Sequence, residues 1–176
     1  MPWIELASGC DKRFYVEQSG EGGYGAICCS DEVASREFKA YVDLKNIGVT
    51  LLPTILPWTD PAGILVDGQT LMPKYQIQRL KIERTFKPQM CAFEVPPKTR
   101  KLLAGGNREL LLAGLQEIDA NLARICGIVG ELTLAVNKDD GRLYMLDFSP
   151  GADGSRALGQ IQTIRTGLQN LQAALN

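Results

Sequence analysis

Four prolines, Pro53, Pro57, Pro61 and Pro73, punctuate the middle third of this chain. Each fixes φ and removes a backbone donor, so no long helix can cross the region, and strands there are short and confined to sheet edges. Helices are therefore expected on either side of it. Ser30 offers an N-cap with Asp31 and Glu32 in the first turn, and Val33, Ala34, Phe38, Tyr41 and Val42 share one face, predicting a helix from Asp31 to Leu44. Asn107 caps a second helix, in which Leu111, Leu115, Ile118, Leu122 and Ile125 recur at helical spacing up to Gly127. A third runs from Ser155 to the C-terminus with Ala157, Ile161, Ile164, Leu168, Leu171 and Leu175 in a strict three-four alternation.

The remaining apolar segments read as strands. Residues 13–18 and 26–30 flank the glycine-rich stretch Ser19–Gly25 and predict a hairpin. Asp67-Gly68 between two apolar runs marks a second hairpin over Ile64–Leu71, and Lys138–Gly141 joins a third over Glu131–Asn137 and Arg142–Phe148. Tyr75–Phe86 is extended, with an apolar phase shift between Ile77 and Leu80 that predicts a bulge or bend, and Cys91–Val95 reads as a short strand. Hairpins together with about three helices predict an α+β class, a mainly antiparallel sheet with helices packed on it, in a single domain over residues 1–176.

Composition narrows the function classes. Nineteen basic residues against twenty acidic ones give a net charge of −1, which argues against duplex nucleic acid as the main partner. The short basic strips Lys98, Arg100, Lys101 and Arg79, Lys81, Arg84 read as solvated faces. The five cysteines are odd in number and lack C-x-x-C spacing, a pattern suited to a reducing, cytoplasmic location. No secretory leader and no membrane span are expected from the apolar pattern. Histidine is absent, which removes Ser-His-Asp and Cys-His hydrolysis and His-containing zinc sites.

Four features remain as candidate sites. Gly20, Gly22, Gly23 and Gly25 fit G-x-G-x-x-G, where missing side chains let backbone amides approach phosphate oxygens. A strand is expected after the loop, so the dinucleotide-binding reading fails on context, and the segment from Gly20 to Ile27 resembles the protein-kinase phosphate loop. That resemblance implies ATP as ligand. No H-R-D loop accompanies it, Asp147-Phe148 is followed by Ser149 where the kinase motif has glycine, and the chain is short for a two-lobed kinase. Asp147, with Asp153 in the following loop, could hold Mg²⁺, and the hairpin end is similar to the late metal-binding strand of ATP-grasp ligases, with Ser149 at the asparagine position. The apolar line Ile161, Ile164, Leu168, Leu171 and Leu175 of the last helix, and the proline-spaced Leu51, Ile55 and Trp58, are candidate protein contacts.

These residues lead to an expected non-catalytic binding or assembly module acting through protein–protein contacts or self-association, with no cofactor. The competing reading is an enzyme or enzyme fragment that binds ATP and Mg²⁺ through Gly20–Gly25 and Asp147, for phosphoryl transfer or ATP-dependent ligation. It requires a phosphate-facing lysine, for which Lys39 and Lys45 are the candidates, although both fall in the segment read as the first helix.

Overall fold

The computed structural model describes residues 2–9, 11–19, 23–148 and 157–176. The fold is α+β, with antiparallel pairing throughout the sheets of the described residues. The chain divides into two compact units, residues 1–38 with 53–79 and residues 39–52 with 80–176.

The first unit holds β1 (Trp3–Ser8), β2 (Lys12–Glu17), β3 (Tyr24–Cys29), the start of α1 (Asp31–Asn46), β4 (Ile55–Pro57), β5 (Ile64–Val66), β6 (Gln69–Leu71) and β7 (Tyr75–Gln78). Its main sheet runs β1-β2-β3-β7-β4. The prolines act as expected: β4 is three residues long and lies at a sheet edge. β5 and β6 form the hairpin predicted around Asp67 and Gly68, both of which adopt positive φ. Tyr15, Ala26 and Ile64 form a buried cluster with Trp3, Cys28, Trp58, Val66 and Leu71 against it, and the rings of Trp3 and Trp58 meet edge to face at 5.9 Å. Ser30 caps α1 by accepting a hydrogen bond from the Val33 amide at 3.2 Å.

The second unit contains the rest of α1, β8 (Ile82–Phe86), α2 (Pro97–Ala104), α3 (Arg108–Ile128), β9 (Thr133–Asn137), β10 (Leu143–Leu146) and α4 (Ile161–Leu175). The strands pair in the order β10-β9-β8. The Asn107 side chain accepts from the Glu109 and Leu110 amides, and Leu111, Leu115, Ile118, Leu122 and Ile125 are all buried, as their spacing requires. The segment before β4 is tied to this unit: Glu117 accepts from the Thr50 amide and hydroxyl, each at 2.6 Å, and the Met145 amide donates to the Leu51 carbonyl at 2.7 Å.

Three expectations need correction. The phase shift near Leu80 is more than a bulge, since Tyr75–Gln78 and Ile82–Phe86 belong to different sheets. Cys91–Val95 is not a strand: Pro88–Cys91 forms a 3-10 turn, and the Asn170 side chain donates to the Cys91 and Ala92 carbonyls at 2.9 Å, replacing the ladder partners a strand would need. Pro97 opens a fourth helix, α2, because proline fits a first helical position whose amide would be unpaired in any case. Helix α4 starts at Ile161 after a 3-10 turn at Leu158–Gln160, and its expected start at Ser155 lies outside the described residues.

Burial pushes the Cys126 thiol up to about 11 from 9.0. A raised folded-state value means that this thiol's stabilising contribution is complete below pH 9 and is lost as pH rises through 9 to 11, because the unfolded chain ionises first. The expected loss across that window is about 2 kcal/mol at roughly 1.4 kcal/mol per unit. Chemical denaturation of the protein and its Cys126→Ala variant at pH 8 and pH 11 measures it; equal pH slopes for the two would refute it.

Candidate functional site

The described end of the glycine loop sits where a hairpin tip should. Gly23 is exposed and its carbonyl accepts from the Arg79 amide at 2.8 Å. Gly25 is buried on β3, and a Cβ there would collide with the Phe14 ring and lie 2.8 Å from the Tyr15 carbonyl oxygen. Its small size therefore serves packing within the hairpin. Gly20 and Gly22 lie outside the described residues.

At the opposite end of the same hairpin, β2 begins with Lys12, paired in register with Cys29 at the end of β3. The Lys12 ammonium is 2.5 Å from Oε1 of Glu37, a carboxylate on α1 that is only 2% exposed. The Tyr75 hydroxyl of β7 donates to the other oxygen of Glu37, and the Tyr75 ring meets Phe38 edge to face at 5.4 Å. Register explains the convergence: Lys12 with Cys29 and Ile27 with Tyr75 are cross-strand partners on one side of the sheet, and α1 lies over that side. Along β2 the lysine is about 16 Å from the glycine-loop end at roughly 3.3 Å per residue. The tight turn nearest it is the one between β1 and β2, where the Gly9 amide donates to the Lys12 carbonyl.

More charge and two thiols surround this end of the sheet. Lys74 pairs with Asp31 at 2.7 Å, which raises the lysine. Burial raises the Cys28 thiol, reinforced by Cys29; burial also raises Cys29, reinforced by Glu37 and opposed by Lys12 and Lys74. Both thiols are thus held toward the protonated form. Lys39 pairs with Asp43 at 2.6 Å, and Lys45 stacks over the Tyr41 ring at 5.4 Å, both within the second unit.

Asp147 follows β10 in the second unit, exposed, with φ at 60°, a left-handed conformation uncommon for a non-glycine residue. Phe148 beside it is buried against Tyr41 at 5.8 Å. Asp153 lies outside the described residues, and no group of three metal-ligating side chains occurs among the described ones. Of the candidate protein contacts, Leu51, Ile55, Ile164, Leu168 and Leu171 are buried within their own units, while Trp58, Ile161 and Leu175 are half-buried. The apolar line of α4 is thus used on the core beside α3 and the Pro88–Cys91 turn. No helix among the described residues is long and apolar enough to cross a membrane. Comparison with protein-family models and with curated proteins gives no match.

The charge cluster at Lys12 was missed from the sequence, yet a signal for it exists. Glu37 stands three residues after Ala34 and four before Tyr41, inside the buried stripe of α1. A carboxylate at such a position needs a partner.

Proposed function

We propose that the first unit is a phosphate-binding module that receives the phosphate tail of a nucleotide at Lys12. The observation that carries this reading is the buried Glu37 carboxylate fixing the Lys12 ammonium, on a lysine whose side chain stays 31% exposed. A cation held from behind by a buried carboxylate loses little conformational freedom on meeting an anion, so its affinity is not spent on ordering a flexible side chain. The arrangement has a counterpart in protein kinases, where a strand lysine paired with a helix glutamate supports the nucleotide phosphates. The reading rests on Lys12, not on Gly20–Gly25. With no histidine in the chain, we assign binding and no proton-transfer step.

Both tryptophans, Trp3 and Trp58, lie in this unit, so thermal unfolding followed by tryptophan fluorescence reports on it. ATP at a hundred times its dissociation constant should stabilise the unit by about 2.7 kcal/mol. Lys12→Met, compared with its own ligand-free baseline, should abolish the shift. An unshifted wild-type transition, or an equal shift in the variant, rules the reading out.

A further inference from the structure

Phe93 is fully exposed in the segment between the Pro88–Cys91 turn and α2, and Met90, within that turn, is 70% exposed. An isolated exposed apolar residue is ordinary, but this one sits on a backbone that is held at both ends. Asn170 donates to the Cys91 and Ala92 carbonyls on one side, and the Arg100 guanidinium donates to the Val95 carbonyl at 3.0 Å on the other. Phe93 is therefore presented on a loop hydrogen-bonded on both sides, where its exposure is not the result of a loose chain. The Arg100 bond also brings a cation beside the loop, and Lys98 and Lys101 of the same helix are exposed with it. Glu94 is the acidic residue within the stretch from Phe93 to Lys101.

We infer that this loop docks on an anionic lipid surface, with Phe93 and Met90 entering the interface and Lys98, Arg100 and Lys101 meeting the headgroups. Two features favour lipid over a protein partner. A protruding phenylalanine needs no matching pocket in a deformable apolar phase, and cations within a few residues of it complement a negatively charged leaflet. The inference is independent of the phosphate reading, since every residue it uses lies in the second unit.

Co-sedimentation with vesicles of phosphatidylcholine and phosphatidylserine, against pure phosphatidylcholine, tests it on the full chain. Binding is expected to the anionic vesicles alone and to weaken in high salt. Lys98→Glu with Lys101→Glu should weaken it at least 25-fold, at about fivefold per cation removed. Phe93→Ser, a change at a fully exposed position that leaves the fold intact, should weaken it about tenfold, at roughly 1.4 kcal/mol for the lost apolar contact. Protein that stays in the supernatant overturns the inference, as does binding indifferent to Phe93→Ser, which would be bare charge attraction. A concentration-dependent dimer in light scattering that Phe93→Ser abolishes would assign the loop to a second copy of the chain and overturn it equally.

Discussion

Gly167→Ala should destabilise the second unit by about 2 kcal/mol, although replacing a helix-interior glycine by alanine ordinarily gains about 1 kcal/mol. Gly167 is buried in α4, and a Cβ there would collide with the Pro88 carbonyl oxygen and lie 2.6 Å from its carbon. The obstacle is main chain of another element, which cannot rotate away, so α4 must move off the turn it packs against. Overpacking of this kind costs about 1–3 kcal/mol and sometimes more, enough to outweigh the helical gain. For a chain of this size the midpoint should fall by roughly 4–8 °C. Far-UV circular dichroism, dominated by the helices, is the readout; an unchanged or raised midpoint would mean that the close approach of α4 to Pro88 does not exist in solution.

Lys12→Met should cost the first unit about 3 kcal/mol, because it leaves the Glu37 carboxyl, 2% exposed, without its ammonium partner. The low end of the range for a broken buried pair applies, since Lys12 itself is partly exposed. Adding Glu37→Gln should recover at least half of the loss: the double variant removes the buried charge yet retains an amide oxygen for the Tyr75 hydroxyl. Tryptophan fluorescence in denaturant gives both values. If the two substitutions simply add, the pair is not coupled and the carboxylate does not depend on the lysine.

These two cases mark where sequence reading succeeds and where it stops. Helix α3 was legible because one element supplies its whole signal, the Asn107 cap and the leucine and isoleucine stripe behind it. The Asp67-Gly68 turn was legible for the same reason, since two residues set the backbone twist of the hairpin. Sheet membership was not: Tyr75–Phe86 shows its phase shift locally, but which neighbours its two halves join depends on strands far away in the chain. The Lys12, Glu37 and Tyr75 cluster was hidden similarly, since its members come from a strand, a helix and another strand. Lys39 and Lys45 are the lysines that the sequence offers for a phosphate contact, and their pairing with Asp43 and stacking on Tyr41 cannot be read from the sequence around the glycine loop. The G-x-G-x-x-G motif points to Gly25 as a phosphate contact, and the Phe14 ring beside it gives the position a packing reason that no local pattern contains.

The division at Phe38 and Lys39 bears on how the polypeptide acquires its shape during synthesis. Every residue of the first unit has been made once Arg79 is polymerised, but the second needs α4, which ends at Leu175. At translation speeds of about 5–20 residues per second that interval lasts on the order of 5–20 s. Throughout it, Ala40, Tyr41 and Leu44 on the trailing half of α1 lack the later segments of their own unit, so a stripe that ends up buried spends those seconds without its final covering.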